Sequence, residues 1–324
     1  MKRLITSDDL IESYAKILQK GPQLFLRKLN ISGKARTIST FQYSENTSSN
    51  YWNIPEVKHR WNLKITGNKE VSYEQYVLNN YLNGKSGLTM LSPGSGISSH
   101  EMQFASSGCF REITCMDISY SMMRKAKALA MENDFHTMKF ITGDFQSAKL
   151  PDNYYDVILF HSSLHHFRNL HTLLPGLNNS LKKDGIIIIN EYAGPRRIIY
   201  NRQQLQAINS VLQTIPPSYR RRLKSGILKK QVTGPGYLRM LITDPSEAIE
   251  SDIIRPLMHK HYKPLEEKDL GGNIIMLLFK DIAHNFTDGS KETKEIIERI
   301  FKAEDEYLKK YRSDFIFGVY KKKG

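Results

Sequence analysis

The sequence predicts an α/β protein built on a doubly wound, Rossmann-like sheet of seven strands. A helical extension precedes the sheet, and a helical cap is inserted between the fifth and sixth strands. Three observations carry this prediction. Short apolar runs recur through the middle of the chain, each ending in turn or polar residues. Helical stretches separate them, which makes successive runs parallel neighbours. The first run also stops at a glycine turn that opens directly into a helix.

That first run covers residues 88–91 and is halted by Pro93. The chain turns through Gly94-Ser95-Gly96, and a helical stretch opens at Ser98-Ser99-His100-Glu101. Glycines let a backbone approach a ligand closely, and a helix start offers free N–H groups. The second strand, 113–119, ends in Asp117, which lies 23 residues past Gly94. A carboxylate so placed in a βαβ unit can accept hydrogen bonds from ribose hydroxyls. The third segment, 138–145, ends in Asp144 and Phe145; the fourth, 155–160, runs into Ser162-Ser163-Leu164-His165-His166. The fifth, 185–191, follows Leu181-Lys182-Lys183-Asp184-Gly185.

Before the core, residues 7–20 have helical apolar spacing at Leu10, Ile11, Tyr14, Ile17 and Leu18, with Ser7 placed to cap and Asp8 and Asp9 at the positive end. Residues 30–55 read as a long polar loop. Tyr51, Trp52 and Trp61 bring aromatics together, either as packing or as one wall of a pocket. Residues 72–82 read as a helix leading into the first strand. After the core, Asp244-Pro245-Ser246-Glu247 predicts a capped helix running to about Met258. The sixth strand is expected at 261–266, helices at 273–286 and 291–311, and the last strand at 314–320.

Taken together, the glycine turn, Asp117, Gly143-Asp144-Phe145, Leu164-His165-His166-Phe167 and Leu181–Gly185 resemble the class I S-adenosylmethionine-dependent methyltransferases of the small-molecule type. The resemblance covers roughly residues 85–195 well. It implies residues 1–84 as an N-terminal extension or lid and residues 85–324 as the methyltransferase domain, with the cap at about 196–258. It implies S-adenosylmethionine as cofactor, held by Ser92, Gly94, Ser95, Gly96, Glu101, Asp117, Ile118, Gly143, Asp144, Phe145 and His161. Asp144 would accept from the adenine amine while Phe145 covers the ring. Two positions depart from the pattern: Ser92 stands where an acid is usual, for which Glu101 is the substitute, and Ser98 stands at the third glycine. A nicotinamide dinucleotide site is the other reading of the turn, but it usually shows that third glycine.

His165 or His166 is the candidate general base, since the fourth strand's end would lie beside the transferred methyl and an imidazole titrates near neutral pH; a structural or helix-starting role is the other reading of the pair. Glu191 is the alternative base, or a group that pairs with Arg196 or Arg197. Tyr192, Arg196 and Arg197 are expected on the acceptor side. His161 and His165 have the i, i+4 spacing of a metal pair, but they straddle a strand end and a loop and have no HExxH context, so no metal is expected.

Composition bounds the remainder. The chain has 324 residues and a net charge of +14. No apolar stretch is long enough to span a bilayer, and the first residues have no secretory pattern. Two cysteines, Cys109 and Cys115, suit free thiols in a reducing cytoplasm. Residues 196–230 gather Arg196, Arg197, Arg202, Arg220, Arg221, Arg222, Lys224, Lys229 and Lys230 without an acid. This is either a solvated basic surface or a site for an anionic acceptor. The function expected is methyl transfer to an oxygen of a small or medium-sized acceptor such as a sugar, a lipid-linked compound or a secondary metabolite, an anionic one if the basic stretch serves it. RNA methylation and a non-catalytic binding protein of the same fold are the alternatives. A homodimer is compatible with the sequence.

Overall fold

The computed structural model describes residues 3–20 and 50–323. Most of the long loop expected over 30–55 therefore lies outside the described residues. In chain order the α-helices are α1 (Ser7–Lys20), α2 (Pro55–Thr66), α3 (Tyr73–Tyr81), α4 (Ser99–Ala105), α5 (Tyr120–Glu132), α6 (Leu170–Ser180), α7 (Arg202–Gln213), α8 (Tyr237–Thr243), α9 (Ile254–His261), α10 (Ile275–Phe279) and α11 (Lys291–Leu308). The strands are β1 (Leu88–Pro93), β2 (Phe110–Asp117), β3 (Met138–Thr142), β4 (Tyr155–His161), β5 (Leu181–Tyr192), β6 (Tyr262–Gly271) and β7 (Phe315–Lys322).

The seven strands form one sheet in the order β3-β2-β1-β4-β5-β7-β6. The first five pair in parallel, as apolar runs linked by helices require. The last strand inserts between β5 and β6. β5 starts earlier than expected, at Leu181; the register between Tyr155↔Leu181 and Val157↔Ile186 slips there, so Lys182–Gly185 form a bulge inside the strand.

The chain divides into two compact units, each assembled from three stretches. One is residues 62–193, 248–269 and 316–324, and contains most of the sheet. The other is residues 1–61, 194–247 and 270–315, and is mainly helical. In the sheet unit, Leu91, Ile158, Phe160, Ile187 and Ile189 pack with Leu170, Leu174 and Leu177 of α6 and with Leu257 and Met258 of α9. Burying each such side chain contributes roughly 2 kcal/mol, and this core fixes where the strand ends lie.

The helical unit differs from expectation at several places. α1 is capped by Thr6, not Ser7: Thr6 Oγ1 accepts from Asp9 N at 3.4 Å, and Thr6 N donates to Asp9 Oδ2 at 2.8 Å. The helix is anchored through its acids. Asp8 accepts from Thr233 N and Gly234 N, and Asp9 from Gly236 N, while Leu10 and Tyr14 remain exposed. Tyr51, Trp52 and Trp61 pack on one another, with Phe315 against Tyr51 and Trp61.

The basic stretch is not a uniformly solvated surface. Arg222 is buried and bridges Asp8 and Asp281, each at 2.8 Å. Lys229 is buried too, and its Nζ donates to the carbonyls of Leu277, Leu278 and Lys280. Those carbonyls would otherwise continue the helix expected over 273–286. The helix instead stops at Phe279, and Asp281 turns the chain with a left-handed backbone (φ 68°) before a short 3-10 turn, Ala283–Phe286. The helix expected over 244–258 is also interrupted. Asp244 closes a local turn by accepting from Ser246 N and Oγ, Ala248 has φ 47°, and α9 starts only at Ile254.

Candidate functional site at the strand ends

In open α/β sheets a ligand lies outside the carboxyl ends of the strands, where the winding reverses. Here that switch point lies between β1 and β4, since the chain runs from β1 to β2 and β3 on one side and from β4 to β5 on the other. The sheet unit brings most of the expected cofactor residues to this edge.

Gly94 and Gly96 both have left-handed backbones, with φ 70° and 55°. A side chain at Gly94 would collide with the neighbouring loop, since its Cβ would lie 2.7 Å from Ser163 Cβ. Ser98 is left-handed as well (φ 58°) and its Oγ bonds to Ser95 Oγ at 3.1 Å. The turn therefore keeps the backbone of a third glycine with a serine in the position.

Asp117 closes the turn from β2. Its carboxylate accepts from Gly96 N at 3.1 Å and from Ser119 N at 2.7 Å. Burial raises its pKa, opposed by these N–H donors and by the charge of His166. Ile118 is half-buried beside it. Ser92 donates to Glu101 Oε1 at 2.5 Å, and both are buried. The serine at the usual acid position is thus in direct contact with the acid one helical turn into α4. Burial raises the Glu101 pKa.

At the end of β3, Gly143 N donates to Asp117 O at 2.9 Å, and Asp144 caps a short turn through Gln146 N. Phe145 is buried, with its ring 5.5 Å from Phe167.

The expected acceptor-side residues lie at three places. Glu191 is fully buried and accepts from Ser163 N at 2.6 Å, Leu164 N at 2.7 Å and His165 Nδ1 at 2.8 Å. It fastens β5 to the loop that follows β4. His165 is buried by this bond, and the ring of His166 lies 4.3 Å from it. Tyr192 is buried with its ring 6.2 Å from His165. Arg196 and Arg197 belong to the helical unit, where Arg197 donates to Pro245 O and Glu247 O.

Sequence reasoning missed four participants. Tyr73 and Glu74 start α3, which Ser72 caps. Tyr73 shares a 3.0 Å hydrogen bond with His161 Nδ1. His100 stacks on His161 with ring centroids 3.5 Å apart, and its Nδ1 bonds Glu74 at 2.5 Å. Ser163 Oγ, buried against the glycine turn, has no hydrogen-bond partner among the described residues. The acid following Tyr73 at a capped helix start was the available signal, but nothing in the sequence places it beside a strand end 88 residues away.

Residues 91–189 match the Methyltransf_11 family, described as a methyltransferase domain. No curated protein matches the sequence. Among solved structures, the chain is similar to phosphoethanolamine N-methyltransferase 2 of Haemonchus contortus, solved with phosphomonomethylethanolamine and S-adenosylhomocysteine. That match has 14% identity over 91% of this chain and 61% of the other, with a TM-score of 0.51. Other matches are the [4+2]-cyclase SpnF, at 15% identity over 77% and 80% of the two chains and TM-score 0.45, and an S-adenosylmethionine-dependent methyltransferase of Aquifex aeolicus, at 17% identity over 43% and 75% and TM-score 0.35. At these identities the structural likeness speaks to the fold. Strand order, glycine turn and family match together identify the central segment of this chain as a methyltransferase domain with the class I, S-adenosylmethionine-dependent fold.

Proposed function

We propose that this chain is an S-adenosylmethionine-dependent methyltransferase acting on an oxygen of a small or medium-sized acceptor. The observation that supports it best is Asp117. Its carboxylate is held at the glycine turn by Gly96 N, on a sheet with the methyltransferase strand order. The residues present fit the cofactor. The left-handed turn at Gly94–Gly96 leaves room for close approach, Asp117 suits ribose hydroxyls, and Ser163 Oγ is a buried polar atom awaiting a partner. Gly143, Asp144 and Phe145 would border the adenine, and Glu101 with Ser92 the methionine end. When bound, the cofactor supplies a methyl group on a positively charged sulfur. The chain's own work is then to orient the acceptor in line with that methyl and exclude water.

The two cysteines are free, which suits a reducing compartment, and we place the protein in the cytoplasm. Among the described residues no helix is long and apolar enough to cross a membrane. An RNA acceptor drew support only from the +14 charge. With Arg222 and Lys229 turned inward and paired, the basic stretch offers less to a polyanion than its composition suggests.

The test is calorimetric titration with S-adenosylmethionine and S-adenosylhomocysteine. Micromolar binding is expected, weakened roughly tenfold or more in Asp117→Ala, since each charge-assisted bond contributes about 1.5–3 kcal/mol. Absence of binding to the wild type at millimolar ligand would defeat the proposal.

A further inference from the structure

At one place the helical unit turns charges inward and apolar side chains outward. Residues 221–228 form a short hairpin, paired at Arg221↔Leu228. Gly226 closes its turn with a left-handed backbone (φ 64°), and Gly226 N donates to Arg222 O at 2.9 Å. The two inward cations are Arg222, between Asp8 and Asp281, and Lys229, whose Nζ donates to the carbonyls of Leu277, Leu278 and Lys280. Leu223 and Ile227 stand at the tip and are 44% and 39% exposed. α1, which Asp8 ties to the base of the hairpin, is arranged the same way. Asp8 meets Arg222, Asp9 accepts from Gly236 N, and Glu12 pairs with Arg239 and Lys280. Leu10 and Tyr14, one turn apart, are 65% and 51% exposed.

Folding ordinarily does the reverse. Apolar residues of similar volume often stabilise a core as well as a buried ion pair does, or better. Stability therefore does not account for the arrangement, and what it leaves outside is the informative part. Arg221 and Lys230 are exposed, and Lys224 is half-buried between Leu223 and Ile227. Arg221 reaches Gly226 O at 3.3 Å, while Lys224 and Lys230 have no side-chain partner among the described residues. Residues 196–230 contain no acid. The acids Glu292, Glu295 and Glu298 of α11 border Pro216 instead, together with Arg299 and Lys302.

Two aliphatic side chains on a turn, ringed by cations, complement an anionic lipid surface. The aliphatic groups enter the headgroup layer and the cations meet phosphates. A tip this narrow falls far short of the ~800 Å² per partner that a stable protein interface needs, and it carries no aromatic ring on which a nucleic-acid base could stack. We propose that the helical unit docks on anionic membranes through this hairpin tip, with Leu223 and Ile227 inserted and Arg221, Lys224 and Lys230 on the lipid phosphates. Arg222 and Lys229 are the buried anchors that hold the tip outward. The docking goes beyond the proposed methyl transfer and does not depend on it.

The full chain can be mixed with vesicles of phosphatidylcholine, alone or with about one third phosphatidylglycerol, and partitioning read by co-sedimentation. Binding is expected to the anionic vesicles only, and most of it should be released as NaCl rises from about 0.05 to 0.5 M. Lys224→Gln with Lys230→Gln should weaken it about 25-fold, at about fivefold per cation. Leu223→Ser with Ile227→Ser leaves the charge unchanged and should weaken it about tenfold or more. Equal binding to neutral vesicles overturns the proposal. So does a Leu223→Ser, Ile227→Ser variant that binds like wild type, since binding would then be the diffuse attraction of a chain of charge +14. Absence of vesicle binding also overturns it, and a concentration-dependent dimer lost in the same variant would then assign the tip to a second copy of the chain. If the aliphatic variant does not fold, the lysine variant carries the test, and undiminished affinity there overturns the proposal.

Discussion

Replacing Glu191 should damage stability and the site together. The carboxylate is fully buried and receives three donors at 2.6, 2.7 and 2.8 Å. Glu191→Ala leaves two backbone N–H groups and an imidazole without their acceptor in the interior. Each unsatisfied buried group costs about 1–3 kcal/mol, and breaking a buried charged contact typically removes about 3–5 kcal/mol in all. A loss of about 4 kcal/mol is therefore expected. For a unit of this size that lowers Tm by roughly 8–16 °C, at about 2–4 °C per kcal/mol. Glu191→Gln keeps one acceptor oxygen but presents its amide nitrogen to one of the donors, so about half that loss is expected. Because the bonds hold Ser163 and Leu164 just past β4, affinity for S-adenosylhomocysteine should fall in parallel with stability. Thermal and denaturant unfolding of the wild type and both variants, with calorimetry for the ligand, measure this. A Glu191→Ala variant that unfolds within about 1 kcal/mol of wild type would refute the reasoning, because the carboxylate would then not be holding that loop.

Two other outcomes follow from single positions. Gly94→Ala should weaken S-adenosylhomocysteine binding more than Gly96→Ala does. Both have positive φ, so an alanine at either would carry about 1–2 kcal/mol of backbone strain, but only at position 94 would the added Cβ meet Ser163, at 2.7 Å; equal effects would show that the collision is relieved at no expense. Asp314 is buried in the helical unit and accepts from Gln204 Nε2 at 2.7 Å, and burial raises its pKa to about 7 from 3.8. The folded form therefore binds more protons than the unfolded one between these values. Its contribution is complete below about pH 3.8 and is lost as pH rises through about 7, a swing on the order of 4 kcal/mol. Asp314→Asn should flatten that fall, so its advantage over wild type should grow with pH in denaturant titrations; a difference that does not change with pH would refute the assignment.

Much of the sheet was legible because its signals are local. Apolar runs of strand length, the glycine turn after the first, and acids closing the second and third depend on neighbours a few residues apart. The helices of the helical unit were less legible because distant partners override their local patterns. Lys229 takes the carbonyls at the end of α10 and so stops a helix that the apolar spacing would extend. Likewise α1 shows an apolar stripe in sequence, but Leu10 and Tyr14 are exposed while its acids accept from Thr233, Gly234 and Gly236.

The sequence by itself determined the class of sheet, the position of the glycine turn and the identity of Asp117 as the acid beside it, since chain order and short spacing suffice for those. Tertiary structure alone decided how Tyr73, Glu74, His100 and His161 engage one another and that Glu191 is spent on fastening a loop. Side chains 26 and 88 residues apart share hydrogen bonds here, and such pairing depends on which strand ends the fold sets side by side, which no local pattern encodes.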